Sequence, residues 1–311
     1  MSRRKIALKT QQGLTLVELM VSLVISLLIV IAASSFYLGS GRTRATQEAA
    51  SLLQDNARFA TDLITKNIQQ AGFQNYIYTG AGSSLRESYE ISGVSDGEPD
   101  IRGYNNTAGG TGIDNGLHSR TTNRINNSDT LVLRFQGSGT GAGDGSMIDC
   151  LGRPQPAPTT VGDRAYSVFE VRQTSSSVEP ELRCKYSSWA SGVQTFTAEP
   201  VIRGVETLQF LYGVDSNADS FVDRWLNAAE VSPTGSTTVP ADWKRVKSVR
   251  VGMVLRSPDR VTVGSGVNGT TTMAPLGINF SQSNGDTLVA NTSDGRLRRV
   301  VTFTVNLRNA L

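Results

Sequence analysis

The spacing of apolar residues changes character along this chain. From Leu14 to Leu38 the positions are mainly Leu, Val, Ile and Ala, broken by small hydroxyl residues and a single charge, Glu18. A helix of about 20 apolar residues crosses a bilayer core, so this stretch is long enough to span one. Its Ser and Thr hydroxyls can bond back to helical carbonyls. Beyond it the apolar residues thin to a stripe. Ala45, Ala49, Leu53, Ala57, Ala60, Ile64, Ile68 and Ala71 recur at spacings of three and four, widened by Leu52, Phe59 and Leu63. Arg42, Glu48, Asp55, Asp62 and Lys66 fall largely elsewhere, as on an amphipathic helix. No proline interrupts residues 14–71, and Gly72 suits a C-terminal cap.

One helix is therefore predicted over residues 14–72, transmembrane over 14–38 and amphipathic beyond. At 1.5 Å per residue it would be roughly 85–90 Å long. That is too long for a solitary globular helix, so half must lie in membrane or filament while the other half packs on a sheet.

After the helix the period falls to two. Thr130–Phe135, Tyr166–Arg172, Val205–Tyr212, Val246–Arg256 and Val300–Leu307 alternate as strands do. Residues 74–128, rich in Gly, Ser, Asn and Thr, predict loops. Gly137–Gly145, Pro154–Thr160 and Ser257–Asp294 predict turn-rich connections. The fold class expected is α+β: a long N-terminal helix packed on an antiparallel sheet. Its parts are a leader over 1–13, the helix over 14–72 and a β-rich body over 73–311.

Charge alters the picture once the leader is set apart. The formal charge is +3, but Arg3, Arg4, Lys5 and Lys9 all lie within residues 1–13, so the remainder carries −1. Bulk charge therefore gives no support for nucleic-acid binding. The basic leader favours a cytoplasmic N-terminus and a body outside the cytoplasm, an asymmetry weakened but not reversed by Arg42 and Arg44. Two cysteines, Cys150 and Cys184, and one histidine, His118, are too few soft ligands for a zinc site. In an exported body a Cys150–Cys184 disulfide is the economical reading; the alternative is two buried thiols.

Glu18 needs an explanation. A carboxylate in an apolar segment costs a few kcal/mol, and more if unpaired. A secretory signal peptide would need a shorter apolar region and a small-residue cleavage site, which Ala32-Ala33-Ser34 could supply. An ordinary single-pass anchor explains the length but not the carboxylate. Cleavage after Gly13 would explain both, because Leu14 would then carry a new α-amine one helical turn from Glu18. Gly13-Leu14-Thr15-Leu16-Val17-Glu18-Leu19 resembles the type IV prepilin (class III) signal. That resemblance implies cutting by prepilin peptidase between Gly13 and Leu14, N-methylation of Leu14, and a role for Glu18 in recruiting subunits into a filament. Leu14 stands where many such proteins have Phe.

The second half is similar to the minor pilin PilW family. The similarity rests on Gly204-Val205-Glu206-Thr207-Leu208-Gln209-Phe210-Leu211-Tyr212-Gly213-Val214, the strand Val246–Arg256 and the ending Arg298–Asn309. It implies a low-abundance pilus subunit that primes assembly with other minor pilins and the major pilin. It also implies association with a PilY-type tip adhesin, and residence in the inner membrane before assembly. A minor pseudopilin of a type II secretion system shares the signal and helix, and an adhesive or DNA-uptake module on a pilus is a further alternative.

Asp215, Asn217, Asp219, Phe221 and Asp223 occupy positions 1, 3, 5, 7 and 9 of an EF-hand-like loop, a candidate Ca²⁺ site. Ser220 stands where glycine permits the sharp turn, and Leu226 where a bidentate Glu is expected. Glu230 could substitute only if the chain folded back; the alternative is an Asx-rich turn. Gly137-Ser138-Gly139-Thr140-Gly141-Ala142 lacks the following helix that a dinucleotide fingerprint requires. No nucleophile elbow accompanies His118, and no Walker A loop is present, so the expectation is a non-enzyme whose assembly is driven by other proteins.

Overall fold

The helical periodicity corresponds to a single helix, α1, over Leu16–Gln70. It belongs to a computed structural model that describes residues 15–75, 99–106, 125–159, 163–173, 179–190, 193–231, 241–261, 269–280 and 287–309. The chain divides into two compact units at Glu48/Ala49, inside α1. In the first unit the apolar side chains from Leu16 to Leu38 are exposed. Ser22, Ser26 and Ser35 donate their hydroxyls to the carbonyls of Leu19, Ser22 and Ile31, which satisfies them within the helix.

In the second unit α1 buries Ala49, Leu53, Ala57, Ala60, Ile64 and Ile68, the stripe read from the sequence. Ala45 lies in the first unit and is exposed. The helix ends as its sequence suggests. Gly72 takes φ +77°, where a Cβ would be strained, and donates its N–H to Arg134 O at 2.9 Å.

Two antiparallel sheets complete the body. The first runs in chain order: β1 (Ile101–Tyr104), β2 (Thr130–Phe135), β3 (Ala165–Arg172), β4 (Glu181–Ala190) and β5 (Val193–Arg203). The second contains β6 (Val205–Val214), β7 (Arg224–Leu226), β8 (Val246–Arg256) and β11 (Arg298–Asn306), ordered β11-β8-β6-β7. A short helix, α2 (Ala228–Val231), follows β7, and a hairpin pairs β9 (Thr270–Met273) with β10 (Leu288–Asn291).

The sheets are joined at Gly204, the single residue between β5 and β6. Its φ is +85°, and an added Cβ would lie 2.6 Å from Arg256 O. They are also sewn together at Ser128-Asp129: Asp129 N–H donates to Leu208 O at 2.7 Å, and the Asp129 carboxylate accepts Phe210 N–H at 3.0 Å. One core results, in which Leu53, Ala57, Ala60, Ile64 and Ile68 of α1, with Ala71 just beyond it, pack with Leu131, Phe169 and Leu182 of the first sheet and Leu208, Phe210 and Val251 of the second.

The architecture is thus α+β, but with two main sheets where the sequence pattern suggested one. Strand β1 lies in a region read as loop, and β9 and β10 lie within the connection expected over Ser257–Asp294. Strands β4 and β5 escaped notice because polar residues interrupt their pattern: Lys185 and Ser187 are buried in β4, and Pro200 sits in β5.

Candidate functional site

The N-terminal segment carries the strongest chemistry in the sequence. Gly13 and Leu14, the expected cleavage pair, lie outside the described residues, as does His118. At the start of α1, the Glu18 carboxylate accepts both Thr15 N–H and Thr15 Oγ1–H at 3.0 Å, while Glu18 N–H donates to Thr15 Oγ1 at 3.3 Å. This reciprocal pair is a capping box, which satisfies two of the free donors at a helix N-terminus. The Thr-x-x-Glu spacing of Thr15 and Glu18 is its sequence signal. The carboxylate thus has a local partner in Thr15.

The apolar run after Glu18 has a mean hydropathy of 2.8 in its richest window, with none of that window buried. Such a helix near the N-terminus fits a membrane anchor.

Within the body, Cys150 and Cys184 form a disulfide with Cα atoms 5.9 Å apart. Both cysteines are almost fully buried, and the bond ties the loop before β3 to β4 inside the main core.

The Asp-rich loop lies between β6 and β7. Asp215 accepts Ala218 N–H at 2.6 Å and Ser220 N–H at 2.8 Å. Asn217 accepts Asp219 N–H, and Asp219 accepts Phe221 N–H. Asp223 accepts both N–H and Oγ–H of Ser216. These bonds run from the loop's own backbone N–H groups to its side-chain oxygens and leave further acceptor sites on each carboxylate. Among the described residues no group of three His, Cys, Asp or Glu side chains is placed to hold a metal. Glu230 does not fold back to the loop; its carboxylate caps α2 by accepting Asn227 N–H at 2.8 Å. The loop is built on Asx-type hydrogen bonds from side-chain oxygens to its own backbone. Ser220, at φ +73°, adopts the left-handed conformation for which glycine was the expected residue. Phe221 is 75 % exposed at the tip.

The Gly137–Ala142 loop continues into turns, as its composition implied, and not into a helix. A cavity of about 460 Å³ lies beside it, lined in part by Gln155, Pro156, Pro158, Asp163 and Arg164. Thr159 also lines it and donates its N–H and its hydroxyl to the Asp163 carboxylate at 2.7 and 2.6 Å.

One charged cluster was not legible in the sequence. Arg298 reaches Glu206 at 2.7 and 3.0 Å and Asp294 at 2.6 and 3.0 Å, and Arg256 lies 3.4 Å from Glu206. The Arg298 side chain is only 6 % exposed. Burial opposes its charge, but the two carboxylates hold its pKa above the ordinary arginine value. This cluster clamps the entry to β11.

Residues 166–309 match the PilW family, described as Type IV Pilus-assembly protein W, and residues 8–34 match the prokaryotic N-terminal methylation motif. No curated protein sequence matches significantly. Among solved structures, the chain is similar to a type IV-like pilin from Thermus thermophilus. The identity is 14 % and the TM-score 0.42, over 83 % of this chain and 98 % of that one.

Proposed function

We propose that this type IV pilin-like protein of the PilW family is a minor pilin that helps to initiate pilus assembly and sits in the tip complex, supporting twitching motility or adhesion. The observation that carries the reading is the union, in one chain, of the methylation motif at residues 8–34 with the PilW match at 166–309. The fold and family are structural, not enzymatic.

In this reading the helix holds the subunit in the inner membrane, with the leader cytoplasmic and the body periplasmic. Prepilin peptidase cuts between Gly13 and Leu14, and Leu14 becomes N-methylated. The new amine, one turn from Glu18, joins Thr15 as a partner for the carboxylate, either within the subunit or across packed helices. The same apolar surface then passes from lipid to filament. Other minor pilins, the major pilin and a PilY-type adhesin are the partners this role requires.

The test is mass spectrometry of the mature protein together with phenotype. N-methylated Leu14 at the N-terminus and loss of pili on deletion are expected. A mature start at Ser34 would establish a signal peptide, and loss of secretion with normal twitching would assign the chain to a type II secretion machine.

A further inference from the structure

Among the described residues, strand β11 lies at the edge of the second sheet, paired only with β8. Its backbone polarity can be assigned. Leu307 N–H donates to Lys247 O, and Ser257 N–H donates to Leu297 O, so the odd-numbered residues of this segment face β8. Antiparallel alternation then turns the N–H and C=O groups of Val300, Thr302 and Thr304 outward. Among the described residues, no backbone group pairs with them.

Among the described residues, the other edges of the two main sheets are blunted. Strand β1 has four residues and β7 has three, while β5 carries Pro200, which has no N–H to donate. Strand β11 has nine residues with no Pro or Gly, and its centre, Val300-Val301-Thr302-Phe303-Thr304-Val305, is uncharged and rich in strand-forming side chains. An edge of that kind is a template for another strand.

Charge selects the kind of strand. Exposed Arg299 and Arg308 flank the segment, and residues 295–309 contain no Asp or Glu. In a two-fold pairing of two copies centred on Thr302, Arg296 of one would oppose Arg308 of the other, which is repulsive.

We infer that the outer edge of β11 is a docking site for an extended strand of another protein, apolar or Thr-rich in its centre and carboxylate-bearing at its ends. Backbone hydrogen bonds to Val300, Thr302 and Thr304 hold it, and Arg299 and Arg308 choose it over a second copy of this chain. The site belongs to the folded body and does not depend on the pilus reading.

The experiment uses the full chain in detergent and two fluorescent peptides with one Val/Thr-alternating centre, flanked by Glu in one and by Lys in the other. The Glu-flanked peptide is expected to bind at least tenfold more tightly at low salt. Thr304→Pro, which removes an outward N–H and leaves the β8 ladder intact, is expected to abolish that binding. The double variant Arg299→Glu/Arg308→Glu is expected to invert the preference, and it keeps the proposal testable if the proline variant does not fold. Absence of binding at millimolar peptide, equal binding of both peptides, or unchanged preference in the double variant would overturn it. So would self-association of the wild-type chain that Thr304→Pro abolishes.

Discussion

Asn309 closes the end of α1 from the far side of the sequence. Its side-chain amide donates to Ala71 O at 3.2 Å and to Gln69 O at 3.4 Å, across 238 and 240 positions. Carbonyls in the last turn of a helix have no intrahelical partner; here the segment after β11 supplies one.

Replacing Asn309 with Ala is therefore expected to loosen the end of α1 without unfolding the body. The cost should be about 0.5–1.5 kcal/mol, that of an ordinary hydrogen bond. Hydrogen exchange should accelerate at Gln69–Phe73 and stay unchanged at Leu53–Ala60. Equal acceleration along the helix would mean that the contact supports the whole packing surface.

The Cys150–Cys184 bond closes a loop of sequence separation 34. In the chain-entropy model it stabilises the fold by roughly 3–4 kcal/mol. The double variant Cys150→Ser/Cys184→Ser should lose about that much in urea unfolding of the detergent-solubilised chain. The wild type under reducing conditions should fall to the same value; a smaller loss on reduction would show that the two hydroxyls themselves disturb the core.

Acid should loosen the entry to β11. Burial raises the Asp294 pKa, but hydrogen bonds from Arg298 and from Arg296 N–H outweigh it and leave the carboxyl below its ordinary value. A carboxylate depressed in the folded state contributes stability that is present above the unfolded pKa of about 4 and is lost as pH falls through the folded value. Asp294→Asn is expected to lower stability at neutral pH and to flatten part of the decline below about pH 4. An unchanged acid limb would remove Asp294 from the linkage. Arg298→Ala should cost more, about 3–5 kcal/mol, because it deprives buried Glu206 of its closest partner.

The capping box allows the two roles of Glu18 to be separated. Thr15→Val removes the hydroxyl and keeps the carboxylate; it is expected to cost about 1 kcal/mol at the helix start and to leave filament initiation intact. Glu18→Ala should still be processed but should fail to initiate pili. Equal defects in electron-micrograph pilus counts would place the requirement on the helix start and not on the carboxylate.

Local patterns were legible because their causes are local. The stripe from Ala49 to Ile68 is a property of 3.6-residue spacing, and Gly72 ends the helix by its own backbone freedom. Strands β2, β3, β6, β8 and β11 showed through alternation. Strand β4 did not, since Lys185 and Ser187 look solvent-facing in sequence and are buried in the fold.

The sequence by itself determined the helix and its two halves, the capping residues Thr15 and Glu18, and the family signatures at either end, all of which depend on residues within a few positions of one another. Tertiary structure alone decided that the strands divide into two sheets at Gly204. It also decided that Glu206, Asp294 and Arg298 converge, that the Asp-rich loop closes on its own N–H groups, and that β11 is left at an edge. Those outcomes depend on which strand pairs with which and on where buried charge finds compensation. Both are settled by contacts between residues up to 92 positions apart in the charged cluster, where no local spacing records the partner.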